Sequence, residues 1–279
     1  HLTIFLRGDI MLKRDGHVHS PFCPHGSKDE FRQYIEELCK KGFHSVTFTE
    51  HAPLPPSFVD PTPGKDSAMP MASLERYLKS LTALKKEYEG QIDILIGLEV
   101  DYIRAFEREI QSFLDDFGPV LDDGILSVHF LPAGESHICL DYDDAAFQQL
   151  IRHYGTIEEV YLAYYQEIFS SIVSSLGVFK PKRIGHLTLI KKFVKLFPYT
   201  MSEKVRQSVS SCLTEAAARG LELDFNTSGL RKPHAGDIYL EKWMIEEAKQ
   251  KNIPLVYGSD AHQAKDAGFG YERFEHIVK

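Results

Sequence analysis

From residue 16 to residue 258 the chain alternates short β-rich runs with longer stretches of helical periodicity, and this alternation restricts its fold more than any other feature. Strands are expected at 16–19, 45–49, 92–100, 124–130, 183–187, 221–225 and 254–258. Helices are expected at 28–41, 73–89, 104–117, 145–176, 202–219 and 239–251, the fourth broken near Gly155-Thr156. Phe31, Tyr34, Ile35, Leu38 and Cys39 fall on one face of a helix that Gly42 stops. Ser73 is placed to cap the second helix and Gly90 to end it, and Ser202 and Gly220 bracket the fifth. Ile94, Leu95, Ile96 and Leu98 form an almost unbroken apolar run, the pattern of a strand buried on both faces. Residues 132–144 read as loop, as does the proline-rich stretch 52–70, which has the length of a functional or mobile segment.

Repeated strand–helix units build a parallel sheet with helices outside it. Seven strands in 279 residues fit a closed or nearly closed barrel, with a doubly wound open sheet as the alternative. No Gly-x-Gly-x-x-Gly follows the first strand and no Walker A sequence occurs, so nucleotide-binding folds lose their main signal. No change of composition divides the chain. Residues 11–279 read as one domain, and residues 1–10, ahead of Met11, as an N-terminal extension. A net charge of −8 argues against a nucleic-acid partner, and no apolar run is long enough for a membrane span. Cys23, Cys39, Cys139 and Cys212 contain no Cys-x-x-Cys pair, which fits a reducing cytoplasm.

The 13 histidines carry the functional information through their positions. His17 and His19 end the first strand, His25 lies just behind it, and His51 ends the second. Glu99 lies near the end of the third, His129 of the fourth and His186 in the fifth, while Asp260 and His262 follow the seventh. In a parallel barrel that edge is where active sites are built. The His17/His19 and Asp260/His262 spacings put both side chains of each pair on one side of an extended backbone. Imidazole and carboxylate together suit zinc, iron or manganese. An unpaired carboxylate in an apolar strand, as Glu99 would be, is costly unless something neutralises it. Nine such residues exceed the needs of one ion and suit two or three. His1, His44, His137, His153, His234 and His276 fit no such position and read as surface or packing residues.

The motifs Asp15-Gly16-His17-Val18-His19, Cys23-Pro24-His25-Gly26, Thr49-Glu50-His51-Ala52-Pro53, Gly97-Leu98-Glu99, Ser127-Val128-His129-Phe130, Gly185-His186 and Gly258-Ser259-Asp260-Ala261-His262 resemble those of the polymerase and histidinol phosphatase (PHP) family. The stretch 223–231, Leu-Asp-Phe-Asn-Thr-Ser-Gly-Leu-Arg, narrows the resemblance to its Bacillus-type bacterial phosphatase branch. The resemblance implies a distorted seven-stranded βα barrel of the PHP fold with a trinuclear metal centre, and hydrolysis of L-histidinol phosphate in histidine biosynthesis. It implies that His17, His19, Glu99 and Asp260 hold one ion, that Glu99 bridges to a second, and that His25, His51, His129, His186 and His262 complete the coordination. A water shared by two such ions loses a proton near neutral pH and can attack phosphorus in line. Asp260 is placed either to handle that proton or to act as a ligand only.

Phosphate also needs cationic donors. Arg231, in the loop after the sixth strand, offers a guanidinium fork, and Lys191 or Lys192 after the fifth strand is the other choice. Glu50 and Asp15 are expected to orient ligand imidazoles. The partner is then a small phosphate monoester, with neither nucleic acid nor membrane involved. Two other readings keep the same motifs: a phosphodiesterase acting on a nucleotide or nucleic acid, and a non-catalytic module whose metals support the fold.

Overall fold

The computed structural model describes residues 6–7 and 10–278. Seven strands form its sheet: β1 (Arg14–Val18), β2 (Ser45–His51), β3 (Asp93–Asp101), β4 (Asp123–Ser127), β5 (Arg183–Ile184), β6 (Glu222–Asn226) and β7 (Leu255–Gly258). All neighbours are parallel and follow sequence order. The two edges meet where Val18 bridges Ala261 and the Asp260 N–H donates to the His17 carbonyl at 2.7 Å. The sheet is thereby a nearly closed barrel, as the alternation predicts.

The helices are α1 (Phe31–Lys40), α2 (Met71–Glu87), α3 (Glu107–Phe117), α4 (Asp144–Tyr154), α5 (Ile157–Val173), α6 (Glu203–Ala218), α7 (Lys242–Gln250) and α8 (Tyr271–Val278). Helix α1 turns an apolar stripe of Phe31, Tyr34, Ile35 and Leu38 inward. Capping fixes several starts. Asp143, Thr156 and Ser202 each accept a first-turn backbone N–H, the last confirming Ser202 as a cap. None of the described helices is long and apolar enough to cross a membrane.

Several boundaries differ from expectation. Ser73 does not cap α2: the helix begins two residues earlier, after Pro70, which cannot donate an N–H but supplies the extended backbone the position needs. The fourth strand stops at Ser127, and 130–139 forms a separate antiparallel hairpin (Phe130–Ala133 with Ser136–Cys139) where loop was expected. The fifth strand is only Arg183–Ile184, because His186 leaves the ladder to face the barrel mouth. Helix α8 carries no earlier expectation. At the other end, Leu6–Arg7 pairs antiparallel with Ile10–Met11, and the rest of the expected 1–10 extension lies outside the described residues.

The amino-end of the barrel is closed by charge. The buried Arg183 guanidinium donates to the Gly16 carbonyl at 2.6 Å and to Asp123. Arg14 reaches the same carboxylate and donates to Thr47 Oγ1 at 2.9 Å. Two guanidinium groups on Asp123 hold its carboxyl below the usual range, although burial pushes the other way. With one end sealed, the carboxyl ends of the strands form the open face.

Candidate metal centre

Glu99 is the hub of the open face. Parallel register lays His51 on β2 directly beside Glu99 on β3. Glu99 Oε2 lies 3.2 Å from His51 Nδ1 and 3.5 Å from both His17 Nε2 and His19 Nε2. Glu99 Oε1 lies 3.0 Å from His186 Nε2 and 3.7 Å from His129 Nε2, and accepts the Ser127 hydroxyl at 2.6 Å. The carboxylate is almost fully buried. Two glycines make the crowding possible: a Cβ on Gly185 would sit 2.0 Å from Ser127 Oγ, and one on Gly258 would sit 2.6 Å from His17 Cβ.

Three imidazoles are aimed from behind by carboxylates. His17 Nδ1 donates to Asp224 at 2.8 Å, His19 Nδ1 to Glu50 at 3.2 Å and His129 Nδ1 to Asp101 at 2.6 Å. Each of these bonds fixes the tautomer and turns Nε2 toward Glu99, the usual setting of a metal-ligating histidine. The buried nitrogens His17 Nε2, His19 Nε2, and His51 Nδ1 and Nε2 have no hydrogen-bond partner among the described residues. Buried polar atoms left in this way are costly, and a cation at the centre satisfies them. Donor atoms of His17, His19 and Glu99, and of His51, Glu99 and His129, converge closely enough to share an ion. The donor set fits divalent metal ions.

Asp260 reaches the cluster from the far side of the seam. Its Oδ1 is 3.1 Å from His19 Nε2 and 3.6 Å from His17 Nε2. Its Oδ2 accepts from Asn226 Nδ2 at 3.1 Å and Ser228 Oγ at 3.0 Å. The residue sits at φ +53°, a left-handed backbone that costs a non-glycine residue about 1–3 kcal/mol. His262 stacks on His19 with ring centroids 3.8 Å apart, and the His25 ring lies 5.0 Å from His51 and 5.3 Å from His262. His25 Nδ1 donates to the Asp66 carbonyl at 2.8 Å, so the proline-rich loop touches this group directly. The nine expected residues thus come together.

Electrostatics follow from the packing. Burial depresses His19 and His129, but Asp260 and Glu50 beside the first, and Asp101 and Glu99 beside the second, raise them to about 9 and about 10. His17 rises for the same reason, against burial, through Asp224, Asp260 and Glu99. Burial and the adjacent His19 push His51 well down. Burial raises the Glu99 and Asp260 carboxyls, yet the surrounding imidazoles hold both well below the carboxylate range.

Other expected roles change. Asp15 does not orient His17: its Oδ1 accepts the Ser259 N–H at 2.9 Å and its Oδ2 the Gly268 N–H at 2.9 Å, so it fixes the 259–268 segment instead. The imidazole partner of His17 is Asp224. Glu50 orients His19 rather than the ring of its neighbour His51, whose backbone N–H it accepts at 3.0 Å. Sequence reasoning passed over Asp101, Asp224 and Asn226. Each stands two residues from another inward-facing polar residue on the same strand, which was their available signal.

A cavity of about 290 Å³ opens over the cluster, walled by Thr62, Asp66, Ser67, Phe130, Asp141 and Tyr142 among others. Lys192 and Lys232 line it, while Lys191 and Arg231 do not. Lys191 Nζ donates to Glu241 at 2.6 Å. Arg231 Nη2 donates to the Ser259 and Asp260 carbonyls at 2.8 and 3.2 Å, and its Nε lies 3.3 Å from Asp266 Oδ2. The two cations expected at the phosphate are therefore engaged elsewhere, each by partners that its own loop or the next one supplies.

Comparison with known proteins accords with this geometry. Residues 15–228 match the PHP domain family. The chain is 66% identical over 264 residues to a histidinol-phosphatase of Bacillus subtilis, covering 95% of this chain and 98% of that protein. Among solved structures, the histidinol phosphatase candidate hisK of Listeria monocytogenes superposes with a TM-score of 0.91 at 37% identity, covering 94% of this chain and all of that one. A histidinol phosphate phosphatase of Lactococcus lactis, solved with zinc, L-histidinol and phosphate, gives a TM-score of 0.72 at 24% identity over 95% and 92% of the two chains, which speaks to the fold.

Proposed function

The chain belongs to the PHP domain family, and from that premise we propose that it is a histidinol-phosphatase, a metal-dependent phosphomonoesterase that converts L-histidinol phosphate to L-histidinol and phosphate in histidine biosynthesis. The observation that carries the reading is the Glu99 hub, one buried carboxylate within 3.0–3.7 Å of five imidazoles. It is supported by the zinc, L-histidinol and phosphate found together in the Lactococcus relative. Our reading gives the centre two to three ions of zinc, iron or manganese, held by His17, His19, His25, His51, Glu99, His129, His186, Asp260 and His262.

When bound, such ions lower the pKa of water and neutralise phosphoryl oxygens. The chain's own residues do the rest. Ser127 and the five imidazoles hold Glu99 in one rotamer at the centre. Asn226 and Ser228 fix Asp260 Oδ2, leaving Oδ1 toward the cluster, where it can orient the attacking water or accept its proton. The cavity admits one small molecule, and its walls of Phe130, Tyr142 and Tyr239 suit a heteroaromatic leaving group better than a polymer. Residues 11–279 act as one domain in this reading. The unpaired cysteines support a cytoplasmic setting.

The test compares phosphate release from L-histidinol phosphate, a simple phosphodiester and a DNA oligonucleotide. Turnover confined to the first is the expected result. Preference for either diester would favour the phosphodiesterase reading, and turnover of none would leave a metal-stabilised module.

A further inference from the structure

A phosphate monoester entering this cavity meets a wall with very few free cations. Lys192 lines it, but its Nζ donates to Asp141 Oδ2 at 3.0 Å and to the Asp141 carbonyl. Lys191 and Arg231 are engaged as described. Lys232 differs: its ammonium has no ion pair and no hydrogen bond among the described residues, and it lines the same cavity as Glu99 and Asp260.

Its backbone is held in place by the turn before it. Lys232 closes the short helical turn Ser228–Arg231 that follows β6, and its N–H donates to the Gly229 carbonyl at 3.2 Å. A Cβ on Gly229 would lie 2.0 Å from the Asp237 carbonyl, so only glycine lets the turn pack this closely. Ser228, the first residue of that turn, is one of the two residues that hold Asp260 Oδ2. One turn therefore carries both a holder of the Asp260 carboxylate and an unpaired ammonium. Burial and the positive charges of Lys192 and Arg231 pull the ammonium below its ordinary range, against an opposing pull from the Asp260 and Asp141 carboxylates. A desolvated cation without a partner has more to gain from an incoming dianion than one already paired.

We propose that Lys232 grips the phosphate oxygens of the substrate, in the role that the sequence suggests for Arg231, and that Arg231 is a positioning residue for the Asp260 turn. The proposal rests on the histidinol-phosphatase reading above. Arg231 donates to the Ser259 and Asp260 carbonyls, which flank the Asp260 α-carbon, and so steadies a left-handed residue that must present its carboxylate to the cluster.

Steady-state kinetics of metal-loaded wild type, Lys232→Ala, Lys232→Gln, Lys232→Arg, Arg231→Ala and Lys191→Ala on L-histidinol phosphate, with inorganic phosphate as competitor, test both parts. Lys232→Ala should raise KM and the phosphate inhibition constant about ten-fold or more at unchanged metal content. Lys232→Arg should recover part of that loss, and Lys191→Ala should stay near wild type. Arg231→Ala should instead lower kcat, with a smaller change in the phosphate constant. A wild-type phosphate constant in Lys232→Ala overturns the proposal, and so does one in Lys232→Gln should the alanine variant not fold. Calorimetric titration of phosphate into the metal-loaded proteins separates the two levels of inference. Wild type that fails to turn over histidinol phosphate contradicts the functional reading, while the phosphate affinities still decide the part played by Lys232.

Discussion

Glu99 and Asp224 mark the two depths at which single residues shape this centre. Glu99 stands among the donors themselves, so Glu99→Gln keeps the shape and removes the charge that balances the metals. It should depress kcat by orders of magnitude while the thermal transition moves little, and near-native kcat with full metal content would contradict its role. Asp224 stands one bond back, behind His17. Removing such an imidazole partner typically costs 10–100-fold in metal affinity or activity. Asp224→Ala should therefore weaken zinc binding by about that factor in a chelator competition, and unchanged affinity would show that the bond does not orient the ligand. These two residues also mark how far the sequence could be read. The nine residues we assign as donors were legible together, because each lies at the carboxyl end of a strand or in the segment just past it and carries an unusual side chain there. The orienting carboxylates were only half legible: Glu50 adjoins a donor in the chain, but Asp224 meets His17 across 207 residues of sequence. Arg231 and Lys232 are adjacent basic residues on one turn, and the sequence cannot say which ammonium or guanidinium finds a carboxylate in space.

At the scale of elements, the long apolar strands and the capped helices were readable because local pattern and tertiary role agree. The hairpin at 130–139 was not, since its proline and glycine (Pro132, Gly134) signal loop while backbone pairing makes it a ladder. The two-residue β5 was overestimated because the apolar run continues after the chain has turned toward the barrel mouth. The strands' amino ends carry their own test. Asp123 neutralises the buried Arg183 and the neighbouring Arg14. Taking away one partner of a buried pair costs about 3–5 kcal/mol, because the other charge is left uncompensated. Asp123→Ala should lose stability in that range by denaturant unfolding, with metal binding at the opposite end largely kept. A loss below about 1 kcal/mol, the value of a surface pair, would mean that water reaches the barrel floor.

Across the whole molecule, protons and metal ions compete for the same interior. Without metal, the carboxylates hold His19 at about 9 and His129 at about 10, both above the ordinary value near 6.5. A raised folded-state pKa contributes stability that is full below the unfolded value and fades as pH rises through the folded one. The metal-free protein should therefore lose this contribution between about pH 6.5 and 10. Metal loading expels the same protons, so binding should strengthen with pH over that window. Calorimetric unfolding at stepped pH, in chelator and in zinc, should show the gap between the two Tm values widening toward alkaline pH. A gap independent of pH would contradict the proton–metal competition.

A shared, multinuclear centre built around Glu99 has a stoichiometry that elemental analysis of the active protein can read. Nine donors at about four to five per ion, with Glu99 and solvent shared, give two to three metal equivalents per chain. That stoichiometry should accompany full phosphate release from L-histidinol phosphate, with activity lost on chelation and restored only when more than one equivalent is returned. A fully active protein holding a single equivalent or less would contradict the account.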